Sequence, residues 1–272
     1  MCIRDSFLLS TGASVSLYPA DSIEQESYLI YLHGGGFVYG SRQDIPKPLI
    51  ELFHEHNYTI LSMDYLLAPN SSLSEIIAAT WENFLELKAK VIKEHPYRIC
   101  GRSAGGYLMM ALTKKIFAEK LPMPESLINF YGYTDLAFIE TSRQTTQPPL
   151  SESLLPKIEL TEKVWDDPQF QRYLFYIYAL QQQKLTEVYG ISSNQLTDYA
   201  LPAEELQLFP PVFSTASSTD EEVPFRYSKA LKKIPDSKFI AVYDLPHDFL
   251  KETDDDQVQM VFSRLNTWLN DH

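Results

Sequence analysis

The sequence predicts an α/β fold with a mostly parallel central sheet and helices on both faces, and three observations carry that expectation. Continuous apolar runs at 28–32 and 59–63, bounded by turn residues, have the composition of strands buried on both faces. Segments of helical period separate such runs, so strand and helix alternate up to residue 131 and again from 211 onward. The strand-like run 97–100 passes through Gly101-Arg102-Ser103-Ala104-Gly105-Gly106 directly into the helix-like run 107–112, a strand-to-helix turn built around a serine.

In chain order, the opening Met1-Cys2-Ile3-Arg4-Asp5-Ser6 has no periodicity and joins abruptly to Phe7, as a translated adapter fused to a truncated chain would. Truncation at the N-terminus is therefore expected. Residues 15–18 read as a short edge strand closed by Pro19. The strand 28–32 ends in His33-Gly34-Gly35-Gly36-Phe37, where successive glycines let the backbone approach another group closely and aim N–H groups at it. No Gly-Lys-Ser/Thr follows and the G-x-G-x-x-G spacing is absent, so a phosphate cradle is the weaker reading. Residues 48–56 form a short helix, and 59–63 a buried strand ending at Asp64-Tyr65. Ser72 with Glu75 signals a capping box, and Ile77, Trp81, Phe84, Val91 and Ile92 supply the apolar stripe of the helix that follows. Leu108, Leu112 and Ile116 mark the inner face of the helix after Ser103, and 127–131 is the next strand.

From about 136 to 209 the alternation stops. Within this stretch, 167–189 reads as one helix dense in aromatics, among them Phe170, Tyr173, Phe175, Tyr176 and Tyr178. It is expected to be a helical lid over the carboxyl edge of the sheet, its aromatics either sealing the lid to the body or touching substrate. Regular pattern then resumes with a strand at 211–215, a helix at 224–233, a strand at 238–243 and a last helix opening on Asp254-Asp255-Asp256. That helix buries Val258, Val261, Phe262, Leu265, Trp268 and Leu269. The expected organisation is one domain, 1–272, with 136–209 inserted; no internal repeat is evident.

Composition excludes several classes of partner. The net charge of −13 and an isoelectric point near 4.9 argue against nucleic acid or an anionic membrane, both of which need clustered Lys and Arg. Of the two cysteines, Cys2 stands near the start and Cys100 in a buried-looking strand, which makes a structural disulfide improbable. No apolar run approaches the length of a membrane span and no signal peptide opens the chain, so a cytoplasmic protein is expected. No seam in the sequence sets the oligomeric state.

Ser103 is the candidate nucleophile. A serine hydroxyl needs a neighbouring base that is itself held by a carboxylate, and there are six histidines to choose from. His54 and His56 lie in a polar helix-and-loop segment, His95 precedes Pro96, His272 ends the chain, and His33 is placed to brace the glycine loop. His247 remains, in a loop directly after the last strand. Asp220 is the candidate acid, because it follows the strand 211–215 and gives the chain order serine, acid, histidine. Glu221 and Glu222 are its close rivals. Asp244 and Asp248 are too near His247 to reach its far nitrogen, and Asp64, which precedes the nucleophile, reads as a structural hydrogen-bonding residue.

Five motifs in order carry a resemblance: His33-Gly34-Gly35-Gly36-Phe37, Asp64-Tyr65 with Leu67-Ala68-Pro69, Gly101-x-Ser103-Ala104-Gly105-Gly106, Asp220-x-x-Val223-Pro224 and Pro246-His247. Together they resemble the α/β-hydrolase fold, in particular the hormone-sensitive-lipase-like esterases, from about Tyr28 to the C-terminus. The resemblance implies hydrolysis of a small-molecule carboxylic ester with no metal and no cofactor. It also implies an oxyanion hole from the backbone N–H groups of Gly35, Gly36 and Ala104. Departures are Arg102 where the family commonly has an acid, Tyr107 where it has Asn, and Leu66 in place of Arg. Gly105-Gly106-Tyr107 is similar instead to prolyl-oligopeptidase-type hydrolases. Rival readings are therefore a peptidase or aminoacyl-ester hydrolase on the same residues, and a non-catalytic small-molecule-binding protein on the same fold.

Overall fold

The structure, a computed structural model, describes residues 5–20, 27–141, 148–155 and 157–272. Residues 1–4, where the expected adapter begins, and 142–147 and 156 of the expected insertion lie outside the described residues. One sheet contains β1 (Asp5–Leu8), β2 (Ser14–Tyr18), β3 (Ser27–Leu32), β4 (Tyr58–Met63), β5 (Tyr97–Arg102), β6 (Leu127–Phe130), β7 (Val212–Ser217) and β8 (Lys238–Val242). Their spatial order is β1-β2-β4-β3-β5-β6-β7-β8. β4 through β8 run parallel in register, with Ile30 of β3 between Leu61 of β4 and Ile99 of β5. β1 and β2 are antiparallel to their neighbours.

β2 is not the edge strand that its sequence suggests. A tight return, in which the Leu9 N–H donates to the Ala13 carbonyl at 2.8 Å, lays β1 outside it and pairs Phe7 with Val15. The turn signal Ser10-Thr11-Gly12 was present in the sequence, but four residues of exposed strand carry no alternation strong enough to announce a partner.

The strand pleat divides the core in two, because successive residues point to opposite faces. Ile30 and Leu32 pack on one side with α2 (Leu73–Leu87) and α3 (Ala104–Ala118); Leu29 and Tyr31 pack on the other with α1 (Lys47–Glu55) and α8 (Asp256–Asp271). Ser72 closes a capping box on α2, its hydroxyl accepting the Glu75 N–H while Glu75 takes the Ser72 N–H at 2.8 Å. The buried stripe of α2 runs through Leu73, Ile76, Phe84 and Leu87, and Ile77 and Trp81 lie at its margin. At the other end of the chain the Asp255 carboxylate caps α8 through the Gln257 and Val258 N–H groups.

Between β6 and β7 the chain makes α4 (Tyr173–Gln181), α5 (Leu185–Val188) and α6 (Ala203–Leu206); α7 (Arg226–Ala230) follows β7. The single helix expected over 167–189 is thus two. Asp167 stands before α4 rather than in it and its carboxylate accepts the N–H groups of Gln171 at 3.0 Å and Arg172 at 2.9 Å. α4 ends where Gln183 adopts a positive φ of 56° and Lys184 bonds back to the Ala179 carbonyl, so the chain must restart as α5.

Two substitutions test this packing. Ser72→Ala should lower the unfolding free energy by about 0.5–2 kcal/mol by orphaning helix N–H groups. Leu265→Ala, at a fully buried position of α8, should lower it by about 2–5 kcal/mol through the cavity it leaves. Urea titration of each variant against the parent reads both.

Candidate active site

From β3 the chain moves to β4 on one side, whereas from β5 it moves to β6 on the other. The carboxyl ends of β3 and β5 therefore open a crevice between diverging connections, the place where ligands bind in open α/β sheets. The glycine loop enters this crevice from β3, and Ser103 enters it from β5.

Ser103 holds φ 50° and ψ −116°, outside the usual region for a residue with a side chain. Its N–H donates to the Phe130 carbonyl at 2.9 Å, and its own carbonyl accepts from Gly106 and Tyr107 as α3 begins. So sharp a turn leaves no room beside it: a Cβ on Gly105 would stand 2.2 Å from the Leu32 carbonyl oxygen. Ser103 thus projects from the helix N-terminus, where unpaired N–H groups and the dipole favour negative charge.

The loop after β8 brings His247 to this point. Its Nε2 lies 2.8 Å from Ser103 Oγ and its Nδ1 lies 2.7 Å from Asp220 Oδ2. Asp220 is fixed in turn, because its Oδ1 accepts the N–H groups of Glu222 at 2.9 Å and Val223 at 2.8 Å. Among the three acids left open by the sequence, Asp220 faces the ring; Glu221 is exposed, and Glu222 accepts from the Tyr176 hydroxyl at 3.0 Å. Burial works to lower the His247 pKa, but Asp220, then Glu222 and Asp248, favour the charged ring and push it up to about 9.

His33 braces the glycine loop. Its Nδ1–H donates to the Gly34 carbonyl at 2.7 Å, its ring stacks on Tyr65 at 4.1 Å, and the Tyr65 hydroxyl donates to the His33 carbonyl at 3.0 Å. Burial lowers its pKa to about 4, so it stays neutral. Among the described residues, no acceptor within the chain takes the backbone N–H of Gly35, Gly36 or Ala104. Gly36 has φ 57°, and a Cβ there would lie 2.2 Å from the Tyr176 ring of α4. The glycine loop and the insertion between β6 and β7 are therefore in direct contact. Tyr39, just after the loop, extends that contact to Phe170, Tyr173 and Tyr176 at ring separations of 5.8, 5.4 and 5.5 Å.

Asp64 is hydrogen-bonded as its sequence position suggests, accepting from the Arg42 N–H at 3.0 Å and pairing with its guanidinium. Arg42 also reaches Asp166 of the insertion at 3.1 Å. Two cavities meet at His247. One of about 30 Å³ lies directly over Ser103 and the glycine loop; another of about 280 Å³ is lined by Tyr173, Ile177, Leu180, Glu221, Glu222 and His247. Arg102 and Asp44, both buried, and the partly exposed Asp248 form a set of charges beside Ser103 that no sequence motif announces. Its one visible signal was Arg102, at a position where the resembling family commonly has an acid. Among the described residues, no group of three or more His, Cys, Asp or Glu side chains is placed to hold a metal ion, and no helix is long and apolar enough to cross a membrane.

A family model described as alpha/beta hydrolase fold matches residues 29–187. A crystal structure of an alpha/beta hydrolase superfamily protein from Enterococcus faecalis is 47% identical, with a TM-score of 0.95 and 98% of each chain covered. Carboxyl esterase 2 from the mycorrhizal fungus Tuber melanosporum shares the fold at 16% identity, with a TM-score of 0.71 over 97% of this chain and 83% of that one. An esterase from Acinetobacter venetianus is 29% identical over 119 residues, 44% of this chain and 39% of the esterase. The chain thus spans well under half the length of the curated relatives it matches. It belongs to the alpha/beta hydrolase family.

Proposed function

We propose that the protein is a serine hydrolase that cleaves carboxylic esters of small or medium acyl groups through an acyl-enzyme intermediate. The reading rests above all on the continuous contact from Ser103 Oγ to His247 Nε2 at 2.8 Å and from His247 Nδ1 to Asp220 at 2.7 Å. In this reading the neutral His247 takes the Ser103 proton as Oγ attacks the ester carbonyl. The N–H groups of Gly35, Gly36 and Ala104 hold the tetrahedral oxyanion, the electrostatic term on which such reactions chiefly depend. His247 then returns the proton to the leaving alcohol and activates water, which releases the acid and restores Ser103. Asp220 keeps the imidazole in the tautomer that presents Nε2 to the serine and stabilises the imidazolium that forms.

The whole chain is read as one catalytic domain with 136–209 as a lid. Packing of Tyr176 on Gly36, and of Tyr173 and Ile177 along the larger cavity, supports that reading. A cavity of about 280 Å³ stands near the lower limit of ordinary ligand pockets, roughly 300 Å³, and suits a short or medium acyl group. With a net charge of −13, the substrate is expected to be a small ester rather than a nucleic acid or an anionic membrane, and a cytoplasmic location fits the same acidic composition.

Hydrolysis of a chromogenic ester series from acetyl to decanoyl tests the proposal. Turnover should peak at short or medium chains and vanish in Ser103→Ala, while Asp220→Asn should lower kcat by about 10⁴-fold. Turnover retained by folded Ser103→Ala would retire the assignment, and silence across the series with aminoacyl amides cleaved would make the protein a peptidase.

Two pH dependences follow from the raised His247 pKa. Because only the neutral ring can accept the serine proton, kcat/KM should climb with pH along a limb centred near 9. Stability runs the other way. The folded value of about 9 exceeds an unfolded value of about 6.5, so the stabilisation from protonated His247 is complete below about 6.5 and is lost as pH rises through 9. The gap in urea midpoint between the parent and His247→Gln should accordingly narrow from pH 6 to pH 9.5.

A further inference from the structure

Arg102 is the last residue of β5 and immediately precedes the serine, yet its side chain turns down beneath the site and is almost wholly buried. Its guanidinium Nη1 donates to the Asp44 carbonyl at 3.0 Å. Nη2 lies 3.4 Å from the Asp44 carboxylate and 3.1 Å from that of Asp248. Asp248 is the residue after His247. One ion pair therefore joins the residue before Ser103 to the residue after the histidine that touches it.

The groups facing this guanidinium come from every element packed around it. Tyr31 of β3 donates its hydroxyl to Asp44 at 3.1 Å. Tyr131, which follows β6, donates to Asp248 at 2.7 Å and also sets its ring edge-on to His247 at 4.9 Å. Lys251 pairs with the outer oxygen of Asp248, and Cys100 of β5 lies near the guanidinium, its thiol kept protonated by burial. Two aspartates thus face two cations, which is how charges survive below a protein surface. Burial alone would raise the Asp248 pKa, but Arg102, then Lys251 and the Tyr131 hydroxyl, outweigh it and hold the carboxyl below its usual range.

Resting on the serine-hydrolase reading, we propose that Arg102 is a positioning residue, which through its ion pair with Asp248 ties the His247 loop to the nucleophile strand and so sets the reach of Nε2 to Ser103 Oγ. Asp220 orients the imidazole from one side. The Arg102 pair fixes the backbone that carries it from the other, and with Tyr131 it leaves the ring one seat. A histidine released from that seat by 1 Å transfers its proton poorly, at a cost of about 10²-fold. The acid more usual in the family at position 102 could not make this contact, because Asp248 would repel it. Arg102 and Asp248 therefore work as a matched pair.

The test reads nucleophile activation directly, as the rate at which a fluorophosphonate labels Ser103 followed by intact-mass spectrometry, together with kcat and KM on the best ester. In Arg102→Met and in Asp248→Asn, labelling and kcat should each fall by roughly 10- to 100-fold with KM little changed. Arg102→Lys, which keeps the charge without the fork, should recover part of the loss. The double variant should be no slower than the slower single one, because both break the same contact. The two singles should also separate in pH profile: loss of the Asp248 anion moves the rising limb of kcat/KM to lower pH, and loss of the Arg102 cation moves it to higher pH. Labelling at the parent rate in either folded single variant, or losses that multiply in the double, would overturn the proposal. If Arg102→Met does not fold, Asp248→Asn decides alone, since that carboxylate is 31% exposed and tolerates an isostere. A parent chain that does not label at all would instead sink the serine-hydrolase reading itself, a result separate from failure of the pair.

Discussion

Ser103 keeps a left-handed backbone between a strand and a helix, and the rest of the site is arranged to make that conformation affordable. Such a residue costs of order 1–3 kcal/mol and persists only where its surroundings over-determine it. Here β5 is paired on both sides, by β3 and β6, and α3 begins at the next residue. The N–H of Ser103 is taken by Phe130, and its carbonyl starts the helix ladder. The hydroxyl therefore has a fixed place, and the loops after β3, β7 and β8 can be built to meet it.

The segments around the site are tied together by two arginines used in the same way. Arg42 joins Asp64, at the end of β4, to Asp166 in the insertion; Arg102 joins Asp44, ahead of α1, to Asp248 beside the histidine. Each guanidinium spans two carboxylates carried by segments distant in sequence. Such pairs add little net stability when both charges must be desolvated. What they supply is register between loops that the hydrophobic core does not reach. The insertion gains further hold where Arg172 donates to the Ala68 carbonyl at 2.8 Å and to Asn70. Asp167 adds to it by donating its N–H to the Gly40 carbonyl at 2.9 Å.

How much of this could be read from the chain depends on whether the signal was local. Buried parallel strands such as β3 and β4 announce themselves as unbroken apolar runs, and α2 through the capping box at Ser72. The elbow at Ser103 is equally local, because steric exclusion around it forces a pattern of glycines. Histidine elimination led to His247 because a strand end fixes where a loop begins. The choice of Asp220 over Glu221 and Glu222 depended on a turn whose N–H groups grip one carboxylate, and three adjacent acids look alike until that turn is drawn. β1 and the break between α4 and α5 were missed for want of periodicity. The Arg102 network was hidden for a different reason: Asp44, Arg102 and Asp248 come from a turn ahead of α1, the end of β5 and the loop after β8, and no spacing rule relates them.

The depth of that network gives the region around Ser103 a particular relation to dissolved salt. At physiological ionic strength, charges are screened over about 8 Å of water, but ions do not enter a packed interior. The Arg102 and Asp44 side chains are 3% and 9% exposed, whereas Lys251 is 57% exposed. Brine would therefore act on the outer arm of the network, at Lys251 and at Asp248, which is 31% exposed, more than on the inner pair of Arg102 and Asp44. A chain with a net charge of −13 has a surface potential that salt alters strongly, yet the Arg102–Asp44 pair lies below the reach of those changes. The inner charges beside Ser103 are thus shielded from salt by where the arginine was buried.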